Sequence, residues 1–183
     1  MAAGLGLAPD LVIGDGDSLD EAAIAALRSS GAEVELFPAE KDESDTELAV
    51  REAIARGAKT IVILGAFGGA RLDHALANIG LLALPELEGR NVVLSDGRVT
   101  VRLIGTADGA GVARIAGERG DLLSLFPLDG AVEGIATTGL RYPLNGESLR
   151  VGPSRGLSNE LTAPEARVTS QRGRLLIVHT SRR

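Results

Sequence analysis

A chain of 183 residues with 44% hydrophobic and 24% charged side chains suits one large domain or two small ones around a substantial core, as in soluble globular proteins. A net charge of −6 argues against a general nucleic-acid or anionic-membrane surface, since both depend on clustered Lys and Arg, but one local patch of donors suffices for a small phosphorylated ligand. With no cysteine, disulfide scaffolds and thiolate metal sites are excluded; apolar runs fall well short of the roughly 20 residues of a membrane span, Met1–Ala8 lacks the basic leader of a signal peptide, and the expected location is the cytoplasm.

The first half alternates short apolar runs with helical patterns. Leu11–Ile13, Val34–Phe37, Thr60–Leu64 and Val92–Leu94 read as strands, and Asp20–Ser29, Asp45–Arg56 and Leu72–Leu84 as helices of crossover length. The unbroken apolar run Thr60–Leu64 predicts a parallel strand covered on both faces. Gly31 and Gly57 fall where a left-handed C-cap favours glycine. This alternation predicts an α/β domain with a mostly parallel sheet and flanking helices.

Near Asp96 the rhythm changes. Turn signals at Asp96-Gly97, Asp108-Gly109, Asp129-Gly130, Asn145-Gly146 and Arg172-Gly173 separate candidate strands Val99–Ile104, Val112–Ile115, Leu122–Phe126, Ala131–Thr138, Ala166–Ser170 and Leu175–His179. No helical period survives, which predicts a small antiparallel β-sandwich or barrel.

Three polar clusters follow the first three strands, where ligands of open α/β sheets bind. In Gly14-Asp15-Gly16-Asp17-Ser18, two carboxylates one residue apart can face one hard cation such as Mg²⁺; a turn leading into a helix cap explains the same residues equally well. In Lys41-Asp42-Glu43-Ser44-Asp45, Ser44 and Glu47 match a capping box, which leaves Lys41, Asp42 and Asp45 unexplained. In Gly65-Ala66-Phe67-Gly68-Gly69-Ala70-Arg71-Leu72-Asp73-His74, the glycines let backbone N–H groups approach phosphates and Arg71 adds a planar donor fork. This loop is not a P-loop, since no Gly-Lys-Ser/Thr follows. Asp73 can instead cap the next helix, and His74 reads as a partly buried structural histidine. Together the clusters predict one cleft carrying carboxylates, cations and free N–H groups, the set that phosphoryl transfer needs.

In this order the motifs resemble the thiamine pyrophosphokinase family. The resemblance rests on Pro9-Asp10 with the three clusters, on Ala77-Asn78, and on three stretches of the β-rich half: Ser124–Pro127, Thr138–Leu144 and Gly156–Glu160. It implies an ATP-binding α/β domain over residues 1–90, a thiamine-binding β-sandwich over residues 91–183, and a homodimer with thiamine at the subunit interface. The implied reaction moves a pyrophosphoryl group from ATP to the thiamine hydroxyl with release of AMP. Asp15, Asp17 and Asp45 correspond to the acidic residues that hold Mg²⁺ and the phosphates. Ser18, Lys41, Asp42, Gly65, Gly68, Gly69 and Arg71 correspond to the ATP side, and Asp73, Ser158 and Asn159 to the thiamine side.

Three departures accompany the resemblance. The family pattern begins with a further strand and an Ala-Asp-Gly-Gly-like turn, whereas about ten residues precede Leu11, too few for a strand and its crossover. Ala70 separates Gly69 from Arg71, and Gly16 and Ser44 stand in for a bulkier residue and a threonine. The missing strand leaves a second expectation, a thiamine- or nucleotide-binding relative without catalysis. A kinase for another hydroxymethyl heterocycle, such as a pterin, fits the Gly156–Glu160 stretch less well.

Overall fold

The computed structural model describes residues 6–17, 19–67 and 71–182. The chain forms two compact units, Met1–Lys59 and Thr60–Arg183. Compactness therefore divides the chain at Lys59, well before the change of rhythm near residue 90.

In the first unit, β1 (Leu11–Gly14) pairs in parallel with β2 (Glu33–Leu36), with Leu11 opposite Glu33 and Gly14 opposite Leu36. Helix α1 (Glu21–Ser29) connects them, and α2 (Asp45–Ala55) follows β2. Asp20 caps α1 by accepting the Ala23 N–H at 2.7 Å. Ser44 caps α2 by accepting the Glu47 N–H at 3.2 Å. The capping box closes on one side only, because the Glu47 carboxylate accepts from Arg51 Nε at 2.9 Å. Gly31 and Gly57 have φ of 95° and 83°, the left-handed conformation expected of them.

The second unit starts with β3 (Thr60–Leu64), α3 (Leu72–Leu81), a 3₁₀ turn (Pro85–Leu87) and β4 (Asn91–Ser95). Eight strands complete it: β5 (Val99–Ile104), β6 (Gly111–Ala116), β7 (Leu122–Pro127), β8 (Val132–Thr138), β9 (Asn145–Leu149), β10 (Asn159–Glu160), β11 (Glu165–Ser170) and β12 (Leu175–Thr180). They form a six-stranded sheet, β10-β7-β12-β5-β4-β3, and a four-stranded sheet, β6-β11-β8-β9. Ile104, Leu123, Leu125, Leu175 and Ile177 from the first sheet and Ile115, Val132, Ile135, Ala166 and Val168 from the second share one buried cluster, the sandwich core. The opposite face of the six-stranded sheet buries Leu94, Val101 and Leu176 with Leu82 and Ile79. Leu175 and Ile177 thus face one core while Leu176 and Val178 face the other, as a two-residue period requires.

A mostly parallel sheet is not what forms. Among the described residues only β1–β2 and β3–β4 are parallel; every other strand pair is antiparallel. The cause is local. Asp96 accepts the N–H groups of Arg98 and Val99 at 2.9 and 2.6 Å, reversing the chain so that β5 returns against β4. Those two bonds also hold the Asp96 carboxyl below its usual range. The strands of the β-rich half then extend the sheet that β3 and β4 begin. Strand β3 lies at its edge with Val62 56% and Leu64 50% exposed, so it is not covered on both faces. Asn145-Gly146, expected as a turn, opens β9 instead, and β10 carried no strand signal because it has only two residues.

Candidate functional site

The residues expected around one cleft are divided between the two units. Asp15, Asp17, Lys41, Asp42 and Asp45 belong to the first, and Gly65, Arg71, Asp73, Ser158 and Asn159 to the second. Ser18, Gly68 and Gly69 lie outside the described residues.

In the first unit the carboxyl end of β1 meets the N-terminus of α2. Lys41 Nζ lies 2.9 Å from Asp45 Oδ1, and the Lys41 side chain is only 12% exposed. The Asp45 carboxylate presses against the Gly14 backbone so closely that a Cβ on Gly14 would lie 2.9 Å from Asp45 Oδ2. A residue larger than glycine would push this carboxylate away. Asp15 Oδ1 accepts the Asp17 N–H at 3.1 Å; that bond first, and the charge of Lys41 next among the lowering influences, keep the Asp15 carboxyl below its usual range. Asp17 and Asp42 are exposed. The structure therefore gathers Asp15, Lys41 and Asp45 at one strand end. Among the described residues, no group of three or more His, Asp or Glu side chains is placed to hold a metal ion, so Asp15, Asp17 and Asp45 do not form an all-protein metal cage.

In the second unit the loop after β3 leads into α3. Gly65 has φ of 73° and gives its N–H to Ser95 O at 3.1 Å. Asn78 of α3 donates to Ala66 O at 3.0 Å, tying the loop to the helix. Asp73 does not cap α3. Its carboxylate receives Arg71 Nε at 2.9 and 3.2 Å and Nη2 at 2.5 Å, and this exposed pair holds its pKa down at about 2. His74 is exposed, contrary to the expected half-burial, because it points away from the apolar face of α3 that carries Ile79.

The β-rich half contains a cavity of about 270 Å³ whose walls include Leu125, Tyr142, Pro143, Arg155, Leu157 and Asn159. A larger one of about 350 Å³, beside the 3₁₀ turn, contains none of the candidate residues. The segment preceding β10 is shaped by two close approaches. Gly156 packs against the backbone of β7, where a Cβ would lie 2.2 Å from Leu125 O, and its own carbonyl accepts the Leu125 N–H at 2.9 Å. Ser158 has φ of 58°, the one non-glycine left-handed residue among those described, and donates its N–H to Ser124 Oγ at 3.0 Å. Asn159 spends its carboxamide on backbone: Oδ1 accepts the N–H of Tyr142 and of Glu160 at 3.0 and 2.9 Å, and Nδ2 donates to Tyr142 O at 2.7 Å. Tyr142, Arg155 and Leu157 were not singled out as site residues by the sequence; the available signal was that Tyr142 is the only tyrosine and sits within a family-like stretch.

Comparison with known proteins bears directly on these two regions. Residues 2–94 match the family model described as thiamin pyrophosphokinase, catalytic domain, and residues 113–175 match thiamin pyrophosphokinase, vitamin B1 binding domain. The chain belongs to the thiamin pyrophosphokinase family. It is 26% identical over 176 residues to the thiamine pyrophosphokinase of Bacillus subtilis (strain 168), covering 96% of this chain and 80% of that protein. The crystal structure of the Bacillus subtilis thiamine pyrophosphokinase superposes with a TM-score of 0.84 at 25% identity, over 98% of this chain and 82% of that one. A thiamin pyrophosphokinase family protein from Enterococcus faecalis gives a TM-score of 0.82 at 28% identity, over 100% and 84%. The first family model ends at residue 94 and the second begins at residue 113, whereas the compact units divide at Lys59.

Proposed function

We propose that this chain transfers the pyrophosphoryl group of ATP to the hydroxyl of thiamine, giving thiamine diphosphate and AMP. The observation that carries the reading is the ordered pair of family models, catalytic then vitamin B1 binding, over a chain whose first unit clusters Asp15, Lys41 and Asp45 at a strand end. The thiamine hydroxyl oxygen bonds to the β-phosphorus, the bond from that phosphorus to the α,β-bridging oxygen breaks, AMP departs with the electron pair, and the hydroxyl proton is lost. Lys41 offsets charge on the phosphates, and Arg71 serves the nucleotide as the resemblance implies.

Mg²⁺ suits the first unit when it arrives on the triphosphate, because it takes one or two carboxylates and completes its shell with phosphate oxygens and water. Asp15, Asp17 and Asp45 would hold it there, and it would neutralise charge that develops during transfer. In this reading nucleotide binds on residues 1–90 and thiamine on residues 91–183. Tyr142 and Leu157, 61% and 51% exposed at the β-half cavity, leave an apolar rim that a second copy of the chain covers in a homodimer. No described helix is long and apolar enough to cross a membrane, and action in the cytoplasm belongs to the same reading. The non-catalytic alternative is not favoured, since residues 2–94 match the model of the catalytic domain.

Incubation with ATP, Mg²⁺ and thiamine tests the proposal. Thiamine diphosphate and AMP are expected; ADP with thiamine monophosphate would reject pyrophosphoryl transfer. Light scattering at micromolar concentration is expected to show a dimer, and an active monomer would overturn that part.

A further inference from the structure

The main chain around Tyr142 is held in an unusual way. The segment from Leu140 runs antiparallel to β10: Leu140 and Leu161 form a bridge, and Arg141 donates its N–H to Glu160 O at 2.9 Å. One residue further on, backbone pairing stops. The Asn159 carboxamide replaces it, accepting the Tyr142 N–H and donating to the Tyr142 carbonyl, as the peptide group of a continued strand would. The base of this clamp is itself anchored. Glu160 pairs with Arg141 at 3.3 Å and with Arg182 at 3.1 Å, and β10 is bonded to β7 with Asn159 opposite Leu123.

All four hydrogen-bonding positions of a carboxamide are seldom filled at once, and three here are taken by main chain, two of them at Tyr142. The group has little capacity left for a ligand. Tyr142, by contrast, has its backbone satisfied and its side chain exposed at the cavity wall beside Pro143, with the Arg141 guanidinium 5.4 Å from the ring centroid.

We infer that Asn159 is a positioning residue: it acts on thiamine by fixing the Tyr142–Pro143 wall of the β-half cavity, not by touching the substrate. The inference rests on the proposed function, which puts thiamine in this cavity. It assigns to Tyr142 the contact that the sequence assigned to Asn159.

A double-mutant cycle with steady-state kinetics tests it. Asn159→Ala is expected to raise KM for thiamine about tenfold, in keeping with the loss of both hydrogen bonds to the Tyr142 backbone, while kcat and KM for ATP stay within about twofold. Tyr142→Ala is expected to do the same, and the double variant to be no worse than Tyr142→Ala by more than about twofold. Multiplying effects would show that Asn159 touches thiamine itself and would overturn the inference. A lowered melting temperature with KM for thiamine unchanged would reduce Asn159 to a purely structural role and also overturn it. Should Asn159→Ala not fold, Asn159→Asp carries the same cycle, because it keeps both N–H acceptances and sets a carboxylate oxygen against the Tyr142 carbonyl in place of the donation. A wild-type chain that neither binds thiamine nor turns it over overturns the proposed function first, which separates that failure from this one.

Discussion

Around Gly14, the side chains that carry charge are held by neighbours close in sequence. Asp15 takes the N–H two residues on, Lys41 pairs with the residue four further along, and Ser44 caps the helix on which Asp45 stands. Around Tyr142 the partners are distant: Asn159 reaches back 17 residues and Ser158 reaches Ser124 across 34. In the first region Asp17, Asp42 and Asp45 face outward while Lys41 is largely covered, and the proposed chemistry lies in the carboxylates themselves. In the second the polar groups are spent on backbone, and what they produce is the shape of a cavity wall. Loss of a side chain in the first region should remove chemistry and spare the fold; in the second it should deform the fold locally and weaken recognition.

The contrast is tested most severely by Asp15→Asn. The amide still accepts the Asp17 N–H but lacks the charge that a phosphate-borne cation requires. Turnover is expected to fall by about 10²-fold or more with only a small drop in the unfolding midpoint. Retained activity would mean that Asp15 serves only the turn. Gly14→Ala acts on the same centre indirectly by displacing the Asp45 carboxylate, and a loss on the order of tenfold in kcat/KM for ATP is expected, with KM for thiamine unmoved.

In the β-rich half the corresponding glycine should show the opposite signature. Gly156→Ala sets a Cβ against a β7 carbonyl, and destabilisation of about 1–3 kcal/mol is expected from chemical denaturation. Unchanged stability would show that the Gly156 segment can yield. Ser158→Gly relieves a left-handed backbone at the cost of a freer unfolded chain, so a gain below about 1 kcal/mol is expected in the same measurement. The smallest effect concerns the Arg71–Asp73 pair. Because the folded pKa of Asp73 is lowered from the ordinary 3.8 to about 2, its contribution is present above about 3.8 and disappears as pH falls through about 2. Carboxyl NMR should show Asp73 titrating near 2, and moving back toward its ordinary value in Arg71→Ala.

Most short-range features of the first unit were legible in the residues. The two strands, both helices, the Ser44 cap and the left-handed Gly31 and Gly57 follow from spacing and from the chemistry of single side chains, whereas Asp20, read as the first helical residue, caps α1 instead. Most strands of the β-rich half were legible too, because alternation reports which faces are buried. Alternation does not name a strand's neighbour. The turn at Asp96 and the joining of β5, β12 and β7 to β4 made the six-stranded sheet chiefly antiparallel, and one period of apolar residues is compatible with either direction.

The chemistry divides along the same line. Sequence by itself determined the order of the motifs, hence the family, and the clustering of acids and a lysine after β1 and β2, because those positions are set by a few residues of chain. Only tertiary structure decided that Gly14 makes room for Asp45 and that Asn159 holds Tyr142. The physical reason is that a hydrogen bond spends a donor or acceptor once. An asparagine in a motif looks equally ready for a ligand or for the backbone, and the choice depends on which partner the folded chain brings within about 3 Å.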